Sequence, residues 1–432
     1  MKCYHRQVRD KTQKPDPSYA IHPLTPWPFS KHKIVSQPPP SDRRKRKRPK
    51  PDLRRLNPYQ PPRNNGASDT EHHASLAAEA EAKSKVILSR RFDPILGGGL
   101  SLVVSVLVIG LGLITQAGAG PFLLAIQLYL FTDLLINGPH FMASYRVLYS
   151  RSENLRKHPV VTLFFPIASS IFLTYIVYCS YQMDAFDPLG VMAVLNLVAP
   201  IVLAWHYTGQ SWGTTACFAH LSGFRISSKQ RLLIRIGFFS LFVYHIAWAY
   251  NSTGFVQQVL SEDEAGDYLM QSIMSLCRLL VAVGFITGLY GFWQMSKQTG
   301  RRVPVRTWLP WAATFSWYVM LDFNPAAFFL LQFFHAFQYL MFPVRVELNE
   351  YTPETRRSRH MIAYYVTLVA LGYIAFEWSS FDAIPKELIP AGTAVMMIIN
   401  LHHYFIDAVI WKIREPEVRQ ALFGHLSPSS SS

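Results

Sequence analysis

The chain has 432 residues, half of them hydrophobic, 14% aromatic and 16% charged. That balance excludes an ordinary soluble domain and fits a polytopic membrane protein. The formal net charge of +15 resembles a nucleic-acid signal, but residues 1–91 hold 21 Lys and Arg against 8 Asp and Glu, which leaves the body at only +2. No nucleic-acid partner is therefore expected for the membrane body.

Residues 1–92 read as a disordered basic arm. Pro38-Pro39-Pro40 and the run Arg43 to Arg48 lack the periodic apolar residues needed to bury a core. A basic cluster of this kind is expected to meet anionic lipid headgroups, with a nuclear address, nucleic-acid contact or a plain solvated tail as alternatives. No apolar h-region follows the early charges, so a secretory signal peptide is not expected. Ala74 to Lys85 is compatible with a short polar helix. Cys3, Cys179, Cys217 and Cys277 are too scattered for a disulfide framework or a CxxC metal site.

Membrane-length apolar stretches begin at Leu96. About ten are predicted, at roughly 96–115, 121–144, 160–182, 189–208, 232–251, 269–295, 308–321, 326–343, 361–380 and 391–412. The expected fold is an all-α polytopic bundle, with a transmembrane domain at 93–413 and a short tail at 414–432. Residues 209–224 are semi-polar and fit an extension of the fourth span, a re-entrant segment or a surface segment. The loops after the even-numbered spans are basic (Arg146 to Lys157, Arg225 to Arg235, Lys297 to Arg306, Arg345 to Arg359, Lys412 to Arg419), whereas the opposite loops are acidic or neutral. Excess Lys and Arg mark the retained side, so both termini are expected in the cytoplasm.

Ionisable residues inside a membrane are costly unless they are paired or bound. His140, His206, His335 and the His402-His403 pair all lie in even-numbered spans. Counting back from Arg345 and Lys412 at 1.5 Å per residue puts His335 and His403 about 15 Å deep, near the bilayer midplane. Each histidine has polar company at helical spacing: Asp133 and Asn137 with His140, Gln210 with His206, Gln332 and Gln338 with His335, and Asn400 and Asp407 with His403. A single membrane histidine is ordinarily an interhelical hydrogen bond. Five in equivalent halves of even spans point to a shared centre.

The chemistry such a set serves is metal binding. His140, His206, His335, His402, His403 and Asp407 are the candidate ligands, and Asp133, Asn137, Gln210, Gln338 and Asn400 the groups that would orient them. His402 and His403 cannot both face one way. Imidazole with carboxylate suits a transition metal, with iron placed first and copper, zinc or manganese as alternatives; haem held between two histidines is a further alternative. Arg278, inside the sixth span, requires an anionic partner, for which Asp133, Asp407 or a lipid headgroup are candidates. The aromatics Phe333, Phe334, Phe337, Tyr339, Trp205 and Tyr207 read mainly as lipid-facing or interfacial.

The segment Asn400-Leu401-His402-His403-Tyr404-Phe405-Ile406-Asp407, with Ile410-Trp411-Lys412, resembles the C-terminal end of an uncharacterised group of bacterial polytopic membrane proteins, and that resemblance implies no activity. In kind, histidines gathered from several spans are similar to integral-membrane di-iron desaturases and hydroxylases and to carotenoid-cleaving membrane oxygenases. The paired HxxxH and HxxHH boxes of the desaturases are absent here, and only His402-His403 matches one element. The expected function is a membrane-embedded metal-dependent oxidoreductase acting on a lipid or other apolar small molecule. A proton-coupled transporter using the same histidines and aspartates as a relay, or a haem-binding electron-transfer protein, are the alternatives.

Overall fold

The computed structural model describes residues 85–115, 132–182, 188–252, 264–351, 356–377 and 388–426, and among these no strand occurs. The principal helices, in chain order, are α1 (Leu100–Thr115), α2 (Gly138–Tyr149), the short α3 (Ser152–Lys157), α4 (Phe165–Gln182), α5 (Pro188–Leu221), α6 (Ser228–Ser252) and α7 (Glu264–Thr299). They continue with α8 (Val305–Phe323), α9 (Phe328–Glu350), α10 (Arg357–Glu377), α11 (Ile389–Ile410) and α12 (Pro416–Phe423). The disordered-arm expectation up to residue 84, the Ala74 to Lys85 helix except for its last residue, and the first part of the second expected span all lie outside the described residues.

Six helices are long and apolar enough to cross a membrane: Phe92–Leu113, Val160–Cys179, Ser228–Ser252, Gly266–Thr299, Arg357–Glu377 and Ala391–Ile410. Their outer faces carry exposed large apolar side chains, such as Val103, Val106 and Leu107 on α1, Leu279 and Ile286 on α7, and Ile362 and Val366 on α10. Water would penalise such a surface, and lipid would not. The protein is membrane-embedded. Of the ten expected spans, the second, fourth, seventh and eighth are not among the six; the first part of the second lies outside the described residues, and the seventh and eighth coincide with α8 and α9. These two are inner helices: most of α8 from Thr307 to Leu321 and of α9 from Leu330 to Glu347 is buried, and the polar stripe of Gln332, His335 and Gln338 on α9 dilutes its apolarity. Residues 209–221 extend α5, so the fourth span is one 34-residue helix. It stops where Gly223 takes φ 78°, the left-handed conformation that commonly ends a helix.

Lipid tails are as apolar as leucine, so membrane helices associate through close packing rather than through expulsion of water. The approach of α2 to α10 shows this. A Cβ placed on Gly372 would lie 2.8 Å from the backbone of Gly138, so the two backbones meet where neither carries a side chain. Ring packing takes over elsewhere: Trp311 and Trp317 on α8 are fully buried within the largest apolar cluster.

Three helices begin with a π turn, at Ile95–Gly99, Asp133–Asn137 and Val160–Phe164. Such turns leave backbone groups displaced from the regular ladder, and here each supplies a carbonyl to a buried polar side chain. Gly97 O accepts from Gln338, Asn137 O from His140 and Val161 O from His402.

Residues 85–91, which composition groups with the basic arm, dock against the bundle. Ile87 is fully buried, its N–H and that of Leu88 are held by the Asp93 carboxylate, and its carbonyl accepts from Arg345. Leu422 of α12 joins the same cluster, and Asn349 donates to Ala421 O at 2.7 Å. The tail after α11 is thus also packed on α9, because one buried apolar residue in each short segment has a cleft to fill.

Candidate metal centre

Four helices that are distant in sequence each contribute one imidazole to a single buried point. His140 of α2, His206 of α5, His335 of α9 and His403 of α11 present ligand nitrogens that all lie within 4.8 Å of one another. Their exposures are 1, 5, 1 and 0% respectively. The rings form two close pairs: Nε2 of His140 is 3.0 Å from Nε2 of His403, and Nε2 of His206 is 3.0 Å from Nε2 of His335. Adjacent nitrogens around one ion with metal–nitrogen bonds of about 2 Å lie about 3 Å apart. The four histidines lie close enough to hold a metal ion.

The proton on His140 is fixed by its partner. Nδ1 lies 2.9 Å from the Asn137 carbonyl, which can only accept, so Nδ1 carries the hydrogen and Nε2 presents its lone pair to the centre. This is the arrangement in which outer hydrogen bonds orient metal-binding histidines.

Asp407, one turn after His403 on α11, closes the site. Its Oδ1 accepts from Tyr339 OH at 2.9 Å and from Ser144 Oγ at 3.0 Å, and Trp411 Nε1 donates to Tyr339 OH at 2.9 Å. Its Oδ2 is buried with no hydrogen-bond donor among the described residues, and it faces His403 Nε2 at 3.3 Å and His206 Nε2 at 3.7 Å. An unsatisfied buried carboxylate oxygen is costly. Hydrogen-bonded histidine pairs would leave that oxygen unanswered, whereas a cation between the four imidazoles and Oδ2 answers it. The donor set therefore fits a metal ion.

His402 is placed elsewhere. Its Nε2 donates to Val161 O at 2.7 Å, its Nδ1 accepts from Tyr145 OH at 3.0 Å, and its ring stacks on Phe165. Its two nitrogens tie α11 to the turn before α4 and to α2, about 100° around the helix from His403.

The polar companions serve the scaffold more than the rings. Only Asn137 touches an imidazole, through its backbone; its side chain donates to Asp133 at 2.6 Å. Gln210 donates to His335 O at 2.9 Å, and Gln338 donates to Gly97 O at 2.8 Å, tying α5, α9 and the start of α1 together. Asn400 bonds within α11, to Met396 O and Tyr404 OH. Arg278 pairs with Asp322 at 2.9 Å on the exposed side of α7, apart from Asp133 and Asp407.

Several participants are not evident from the histidine pattern. Tyr339, Tyr207 and Phe334 are 1–2% exposed and belong to the interior, while only Trp205 of that aromatic group is strongly exposed, at 46%. Tyr404 packs on His206 with centroids 4.4 Å apart, and Tyr207 on His335 at 4.5 Å. A signal for the carboxylate's partners does exist: Ser144, Tyr339 and Trp411 each stand four residues after His140, His335 and Asp407, on the same helical faces.

Comparison with protein-family models, with curated proteins and with solved structures finds no match to this chain.

Proposed function

We propose that this protein is a membrane-embedded metalloenzyme, with an oxidoreductase acting on an apolar or lipid substrate as the activity its site supports best. The observation that carries this reading is the convergence of four buried imidazoles from four helices on one point, with an otherwise unanswered Asp407 oxygen facing them. His140, His206, His335 and His403 are the ligands, and Asp407 is a fifth ligand or an anchor for the set. Iron is the first candidate, with copper, zinc and manganese as the alternatives that imidazole chemistry permits. When bound, such an ion supplies oxygen activation or polarisation of a substrate oxygen.

The chain's own groups do the remaining work. Tyr339 and Ser144 hold the Asp407 carboxylate in place, and Trp411 fixes Tyr339. The surrounding rings of Phe141, Tyr207 and Tyr404 exclude water from the imidazoles. A cavity of about 780 Å³ reaches the site at His206, Tyr339 and Asp407, a volume within the usual range for small-molecule sites. Close ring packing favours an ion over haem, since imidazoles whose Nε2 atoms are already 3.0 Å apart leave no slot for a macrocycle. The charge of the loops supports cytoplasmic termini, and the resemblance of the segment from Asn400 to Lys412 to bacterial polytopic membrane proteins supports the inner membrane of a bacterium as the setting.

Elemental analysis of protein purified without chelator, together with a visible spectrum, tests the reading. About one equivalent of a transition metal, lost in His335→Ala and His403→Ala and with no Soret band, is the expected result. Freshly prepared folded protein with no stoichiometric metal would overturn it and favour a proton relay.

A further inference from the structure

The cavity that meets the metal site changes character along its length. Its inner end is formed by His206, Tyr339 and Asp407, and its middle is walled by Trp205, Trp212, Phe342 and Tyr404. Its outer end is ringed by cations: Arg225, Arg231 and Arg235 from the α5–α6 turn and the start of α6, and Lys412 and Arg414 from the end of α11.

Few of these cations are answered by a carboxylate. In the neighbouring groove Arg151 is paired with Glu350 at 2.5 Å and Glu417 with Lys157 at 3.0 Å, while Arg357 is held by the Leu348 carbonyl at 2.9 Å. Around the cavity mouth, Arg225, Arg231, Arg235 and Lys412 have no carboxylate within 4 Å among the described residues, and Arg414 has only Glu415 at 3.8 Å. A general excess of basic loop residues explains positive charge on this side of the bundle. It does not explain why these cations gather at an opening that runs along aromatic walls to the histidines. A concave cluster of guanidinium and ammonium groups attracts carboxylate and phosphate, while the aromatic stretch behind it has no use for a charged or hydrated ligand.

We propose that the ligand of this site is an anionic amphiphile, one carboxylate or phosphate head on a long apolar chain. The head binds among Arg225, Arg231, Arg235 and Lys412, and the chain passes Trp205, Trp212 and Tyr404 to bring a carbon beside His206 and Asp407. Lys412 stands just past the end of α11 and Asp407 one turn before that end, so the head and the site are set apart by less than two turns of rise, about 5–8 Å, and the reacting carbon lies a few carbons from the head. As a statement about substrate this rests on the metalloenzyme reading, but binding of the amphiphile is measurable without it.

The test is equilibrium binding of radiolabelled oleate, oleyl phosphate and oleyl alcohol to the full chain in nanodiscs of neutral phosphatidylcholine, with empty nanodiscs subtracted and inorganic phosphate as competitor. Oleate or oleyl phosphate should bind at least about tenfold more tightly than oleyl alcohol, a difference of roughly 1.4 kcal/mol, and the tighter of the two identifies the head. The triple variant R225Q/R231Q/R235Q should remove that advantage while its metal content, by elemental analysis, stays unchanged. His335→Ala, which does not line the cavity, should lose metal and still bind the anionic amphiphile, so the two readings fail separately. Equal binding of the alcohol, unchanged binding by the triple variant, or displacement by inorganic phosphate as effective as by oleate would each overturn the proposal.

Discussion

Tyr339 OH donates to Asp407 Oδ1 at 2.9 Å, and this bond between α9 and α11, with that of Ser144 Oγ at 3.0 Å, turns the other carboxylate oxygen toward His403 and His206. Residues that orient ligands from behind typically change metal affinity by about 10- to 100-fold. Tyr339→Phe keeps the ring that packs beside His140 and His403 and deletes only the hydroxyl. Metal affinity, read by competition with a graded chelator, should fall by that factor while the helical circular dichroism stays unchanged. An unaltered affinity would show that Asp407 needs no help from Tyr339.

The adjacent histidines of α11 offer an internal control. His403 faces the cluster, whereas His402 spends both ring nitrogens on Val161 O and Tyr145. His402→Gln should retain the bound metal and lower thermal stability by about 1–3 kcal/mol, the cost of disturbing buried hydrogen bonds. His206→Ala should lose the metal. Loss of metal from the His402 variant, with His206→Ala unaffected, would reverse the assignment of the two faces.

Much of this arrangement is legible in the sequence, because depth in a membrane is counted from the charged loops and helical faces from three- and four-residue spacing. That places His140, His206, His335 and His403 in the same half of the membrane on polar stripes, on the helices that the structure brings together. Rotation of each helix about its axis is set by packing that no single stretch contains. Hence spacing separates His402 from His403 without saying which looks inward, and it assigns Gln210 and Gln338 to the rings when they bridge backbones instead. Tyr339 is a similar case: a hydroxylated aromatic reads as an interfacial anchor until a carboxylate on another helix is seen beneath it. Arg278 finds Asp322 only because α7 and α8 lie side by side, 44 residues apart in the chain. The ten-span count suffers for the same reason, since α8 and α9 are covered by protein and their polar content no longer has to satisfy lipid.

Metal removal should loosen the bundle. A ligand that binds only the folded state stabilises it by about 2.7 kcal/mol at a free concentration 100-fold above its dissociation constant. Four helices meet at these histidines, so dialysis against chelator should lower the unfolding temperature in detergent, and readdition of the metal should restore it. His335→Ala should sit at the lower temperature from the outset and show no response to either step. A chelator effect of equal size in that variant would place the stabilising metal elsewhere.

Gly372 tests whether the site depends on a backbone contact far from any ligand. A Cβ at this position would stand 2.8 Å from the carbonyl carbon of Gly138, two residues before His140. Backbone cannot move aside as a side chain can, so Gly372→Ala should push α2 away from α10 and cost about 1–3 kcal/mol, as overpacking in a tight interior does. Because His140 rides on α2 and its Nε2 is 3.0 Å from that of His403, the displacement should also weaken metal binding. The informative comparison is with Gly110, inside α1, where an added Cβ meets nothing within 4 Å: Gly110→Ala should leave the metal affinity unchanged and should not lower the unfolding temperature, since alanine favours a helix interior over glycine. If Gly372→Ala lowers the unfolding temperature while metal affinity is untouched, the α2–α10 contact supports the bundle but does not set the position of His140.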